Sequence, residues 1–151
     1  MATYTATLNW TRGDQSFADG KYSRAHTIAF DGGVVIPASS SPHVVRLPYS
    51  REDAVDPEEL LVASLSSCHA LSFLDVARRA GFVADSYDDV AEGAMVKSEA
   101  GHLWLSKVTL KPRVTWSGKE PTHAELADLH HKAHEVCFIA NSYKGEVVVD
   151  F

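Results

Sequence analysis

The chain has 151 residues, with 14 lysines and arginines against 20 aspartates and glutamates and a formal net charge of −6. That length fits one domain with a core of its own, over residues 1–151, and the acidic balance, with no lysine–arginine cluster, argues against nucleic acid as the main partner. No apolar stretch reads as long enough to span a membrane, and "MATYTATLNWTRG" lacks the layout of a signal peptide, so a soluble, cytoplasmic protein is expected.

In chain order, Tyr4, Ala6, Leu8 and Trp10 alternate with threonines and Asn9, as in a half-buried strand. "RAHTIAF" ends at Asp31-Gly32-Gly33, a turn signal, and "VVIP" follows, which predicts a hairpin. "HVVRLPY" is a weaker strand candidate. Asp56 then offers an N-cap, with Pro57 at the first helical position and Glu59 three residues after the cap. The helix so opened runs to Ala80, with Gly81 as its C-terminal cap. Leu60, Leu61, Val62, Leu65, Leu71, Phe73, Leu74 and Val76 leave almost no polar face in its middle, so it belongs at the centre of the protein or of an oligomer interface.

Downstream, "VAEGAMVKS" and "LWLSKVTLKPRVTW" read as strands joined at Glu99-Ala100-Gly101, with Pro112 marking an edge or a bulge. Thr122 and Glu125 form a second capping box, opening a helix through about Ala140 whose apolar stripe is Leu126, Leu129, Ala133 and Val136. "GEVVVDF" is a final strand. The class is α+β, with antiparallel sheet and one central helix.

There are two cysteines, Cys68 and Cys137, each in an apolar helical setting. In a reducing cytosol they are either buried filler or a redox pair. Ala127, His130, His134 and Cys137 share a helical stripe beside the apolar one; its two histidines and its cysteine, with Cys68 and His69, offer ligands for zinc. A cysteine hydrolase, with Cys68 activated by a histidine, is a third reading. A thiol peroxidase is the fourth. Its thiolate attacks the peroxide O–O bond to give a sulfenic acid, which a second thiol resolves to a disulfide. Burial disfavours the thiolate, so a cation must compensate, and arginine keeps its charge at every working pH.

The stretches "DPEELLVASLSSCHALSFL" and "HKAHEVCFIANSYKGEVVV" resemble the osmotically inducible protein C / organic hydroperoxide resistance family from about Asp56 to the end. The resemblance implies an intertwined α+β homodimer whose sheets wrap around central helices, with active sites at the interface. It implies a peroxidase without metal or other cofactor, acting on organic hydroperoxides and re-reduced by dithiols such as lipoyl groups. Cys68 matches the attacking cysteine, Cys137 the resolving one, and Glu58 the glutamate that positions a catalytic arginine. Arg24, in "YSRAH", is the better match for that arginine; Arg46, in "HVVRLPY", is the alternative. A non-catalytic member binding a small ligand in the same fold is the other functional reading. Glu58 and Cys68 are ten residues apart, about 15 Å along a straight helix. A single cluster therefore needs two chains packed antiparallel, a kink near Ser64–Ser67, or long side chains that span much of the gap.

Overall fold

Eight strands and three helices form in the computed structural model, which describes residues 1–151 as two units, Met1–Leu60 and Leu61–Phe151. In the first unit β1 (Ala6–Asn9), β2 (His26–Phe30) and β3 (Val35–Ala38) make an antiparallel sheet in that order, with Ile28 opposite Ile36. The expected hairpin turns where Gly33, at φ 86°, donates its N–H to the Phe30 carbonyl. β1 forms as expected but is not half-buried: it is an edge strand, and Leu8 stays 60% exposed. "HVVRLPY" is not a strand. Its backbone is spent in successive turns, with Val44 and Val45 N–H on the Ser41 carbonyl and Tyr49 N–H on that of Arg46. The segment beyond returns to β3, where Ser39 N–H donates to Val55 and Val55 N–H to Pro37.

Helix α1 (Pro57–Arg79) opens through the capping box that the sequence encodes: Glu59 N–H donates to Asp56 Oδ1 at 2.8 Å, and Asp56 N–H to Glu59 Oε2 at 3.0 Å. It closes where Gly81 takes φ 85° and Phe82 N–H reaches back to the Ala77 carbonyl. The helix is continuous through Ser64–Ser67, so no break interrupts the path from Glu58 to Cys68. Against expectation, its 23 residues are long and apolar enough, by length and composition alone, to cross a membrane. One stripe of the helix is core: Leu65, His69, Phe73 and Ala77 fall at intervals of four and are buried.

In the second unit β4 (Val83–Asp89) pairs with β7 (Pro112–Ser117), and β5 (Glu92–Lys97) with β6 (Leu103–Leu110), both antiparallel. β8 (Glu146–Val149) joins the other edge of β6 in parallel, a departure from the all-antiparallel expectation. β6 and β7 read as one bulged strand in the sequence, but they are two strands in different sheets. Pro112 has no N–H with which to continue the ladder, and the Lys111 N–H before it donates to Asp89 Oδ1 at 2.6 Å.

Helix α2 (His123–Val136) starts at its Thr122–Glu125 capping box and ends at Cys137, earlier than Ala140; the short α3 (Phe138–Ser142) follows. Two apolar clusters hold this unit together. Phe73, Ala77, Phe82, Leu129 and Ala133 form one, while Leu65, Val108 and Leu110 form the other. Full burial of a side chain such as Phe73 or Leu65 stabilises by about 1.5–3 kcal/mol.

Candidate functional site

Cys68 neighbours His69 on α1, one step around the helix from the buried stripe, and is therefore half-buried. Cys137 is fully buried at the joint where α2 ends and α3 begins. Its extended backbone (φ −72°, ψ 109°) breaks the helix, and its Sγ accepts the Ala140 N–H at 3.4 Å. The two cysteines are free thiols, and Cys68 lies close enough to Cys137 to act on its thiol. Burial, and next that proximity, push the Cys137 thiol well above its ordinary value, with the Ala140 N–H opposing. Cys137 is thus a protonated thiol waiting beside a more accessible one.

Around them stands a group that sequence reading missed in part. His69 Nε2 and His130 Nδ1 are 3.0 Å apart, joining α1 to α2. Burial holds both imidazoles neutral, with values near 4. For His69 the charge of His134 adds to the effect of burial and that of Asp89 opposes it; for His130 it is His69 that adds. The stripe of His130, His134 and Cys137 therefore does not lie beside the apolar face as a ligand set. His130 is core, bonded to His69, and Cys137 lies near Cys68; no three metal-binding side chains converge. His69 was legible from its place four residues after Leu65 and four before Phe73.

The other candidates lie in the first unit, where a cavity of about 440 Å³ is lined by Leu8, Trp10, Phe17, Tyr22, Arg24 and Glu58, among others. Its aromatic wall is prearranged. Trp10 donates its indole N–H to the Ser23 carbonyl at 2.8 Å, and the Phe17 and Tyr22 rings stack at 4.6 Å. Arg24 and Glu58 share this cavity, but no ion pair joins them. Arg24 Nη1 donates to the Gly20 and Tyr22 carbonyls, and its guanidinium lies 3.8 Å over the Tyr22 ring. Glu58 Oε2 is buried without a partner. Arg46 is exposed, lies outside the cavity lining, and faces the Tyr49 ring at 5.9 Å.

The family profile described as "OsmC-like protein" matches residues 50–151. The chain belongs to the OsmC-like family. It is 25% identical over 125 residues to Peroxiredoxin OsmC of Escherichia coli (strain K12), covering 83% of each chain. A solved OsmC-like protein of unknown function from Vibrio cholerae shares 49% identity over 99% of each chain, with a TM-score of 0.95. An organic hydroperoxide resistance protein from Elizabethkingia anophelis shares the fold, with a TM-score of 0.73 at 22% identity, over 99% of this chain and 94% of that one. The OsmC-like fold expected from the sequence is therefore the fold found.

Proposed function

We propose that this OsmC-like protein is a cysteine-based hydroperoxide reductase. The observation that carries the reading is the proximity of two free thiols, Cys68 partly open and Cys137 buried near it. The Cys68 thiolate attacks the terminal oxygen of an organic hydroperoxide. The O–O bond breaks, the alcohol leaves after taking a proton, and Cys68 becomes a sulfenic acid. Cys137 sulphur then attacks Cys68 sulphur, the S–O bond breaks, and hydroxide leaves with the Cys137 proton as water. A dithiol of the lipoyl type returns both cysteines to thiols. No metal or other cofactor takes part, and a reducing cytoplasm suits two cysteines that rest as free thiols.

Arg24 is assigned as the charge that favours the thiolate, and Glu58, with its unpartnered oxygen, as the group that orients Arg24 once substrate releases it from its loop carbonyls. The aromatic cavity suits an apolar hydroperoxide. Glu58 and Cys68 stand ten residues apart on an unbroken helix, so composite sites in a homodimer bring Glu58 of one chain to Cys68 of the other. The exposed Leu71 and Leu74 on α1 support such a pairing. The same cavity would serve a non-catalytic binder of a small apolar ligand, and the proximity of the thiols is what favours the enzyme.

One equivalent of cumene hydroperoxide is expected to remove two hydrogens from the intact mass, mapped to a Cys68–Cys137 bridge. Cys68→Ser should consume no peroxide, and Cys137→Ser should stop at a dimedone-reactive sulfenic acid on Cys68. Unchanged thiols in the wild type would leave the binder.

A further inference from the structure

His69 is the only polar residue in the buried stripe of α1. Its link to His130 is an N–H···N hydrogen bond of 3.0 Å between rings within 8° of parallel. The outer nitrogens, His69 Nδ1 and His130 Nε2, are buried with no partner. A leucine pair would occupy this space without stranding two polar atoms, each costing about 1–3 kcal/mol. Stability is therefore not what the pair supplies best.

A hydrogen bond does supply direction, which apolar contact lacks. His130 is fixed further by Phe73 on one side, at 4.2 Å and 23°, and Phe151 on the other, at 4.6 Å and 27°. The charged and titratable groups nearby are Asp89 of β4 and His134 of α2, with His123 of α2 tilted against Phe151. Both thiols are tied to this link through their helices. Cys68 immediately precedes His69, and Cys137 follows His130 by seven residues, about two turns along α2.

We propose that the His69–His130 hydrogen bond is a register clamp for the thiol pair, holding α1 against α2 so that the Cys68 and Cys137 sulphurs meet. The clamp sets the effective concentration of each thiol for the other. It rests on the reading that these two thiols close a disulfide, and both histidines are positioning residues: neither touches the peroxide.

Two amide pairs of equal composition separate position from chemistry. His69→Gln/His130→Asn places amides where the bonded Nε2 and Nδ1 stand, and keeps the link. His69→Asn/His130→Gln places them at the two unbonded nitrogens, and loses it. Each protein is equilibrated with oxidised and reduced dithiothreitol. The Cys68–Cys137 bond forms as the cyclic reagent's S–S bond breaks, two protons and two electrons passing to the reagent. The first pair should keep the wild-type effective concentration within about threefold. The second should lose at least tenfold, about 30 mV in potential for a two-electron couple. Equal values for the two pairs overturn the clamp. Should the second pair not fold, His130→Asn against His130→Gln carries the same contrast. Peroxide consumption is measured separately: its absence from the wild type, with the tenfold difference present, removes the peroxidase and keeps the clamp.

Discussion

Acid should unfold this protein in a window that its carboxylates cannot explain. His69 and His130 are 1% and 2% exposed, and burial lowers each from 6.5 to about 4 in the folded state. In the unfolded chain both return to the ordinary value, so below pH 6.5 the unfolded state binds more protons than the folded one. Stability is then fully present above pH 6.5 and falls progressively as pH drops toward 4. From pH 8 to pH 5 the loss amounts to about 2 kcal/mol for each histidine, with about 4 kcal/mol as a ceiling because the bonded pair titrates as a unit. Glu125 falls outside this window: its carboxylate, lowered from 4.5 to about 2 by the Thr122 N–H and Lys119, withdraws its contribution only below pH 4.5. Urea denaturation at pH 8 and pH 5, at one fixed protein concentration, measures the difference, with His69→Gln/His130→Asn as the comparison. The wild type should lose at least 2 kcal/mol more than the amide variant. A wild-type change under about 1 kcal/mol, or equal changes in the two proteins, would refute the assignment.

Arg24→Ala should slow peroxide attack on Cys68 by about 100-fold, the scale for removing a preorganised charge or donor, while Arg46→Ala, exposed and outside the cavity, should change it less than twofold; stopped-flow loss of the thiol distinguishes them. Mixed dimers refolded from Cys68→Ser and Glu58→Ala chains should recover about half of wild-type activity, since two-fold symmetry puts both lesions in one of two sites. No recovery above the parents would show that each chain supplies its own glutamate. Gly145→Ala should destabilise by about 1–3 kcal/mol, because its Cβ would meet the Tyr143 ring and stand 2.7 Å from the Ser106 carbonyl; a thermal melt with less than a 2 °C change would contradict that.

The parts of this fold that the sequence made legible are those set by neighbouring residues. The start of α1 was readable because Asp56 and Glu59 cap each other within one turn, and its end because Gly81 takes a conformation that suits glycine. β4 was not readable: "VADSYDD" carries three aspartates, and it becomes a strand by pairing with distant β7, with Ser86 bonded to Thr115 and Ser117 to Asp85. The break at Cys137 had no glycine or proline to announce it, since a side-chain sulphur takes over the capping bond there. The two cysteines were visible as a pair, but their proximity depends on tertiary packing. Arg24 and Glu58 were found through family resemblance, whereas the aromatic wall beside them comes from the segment between β1 and β2, where Phe17 and Tyr22 show no period.

The proximity of Cys68 and Cys137 also has a consequence for chain entropy. The proposed bridge would close a loop of about 70 residues, which in the chain-entropy description removes about 4 kcal/mol of freedom from the unfolded state. Reduced and oxidised protein would then share one fold but differ by several kilocalories in resistance to unfolding, the working dithiol form being the weaker. Each turnover would take the molecule from a loosely tethered state to a stapled one and back. A protease that samples open forms would cut the reduced protein preferentially, so the supply of reductant would govern its lifetime as well as its activity.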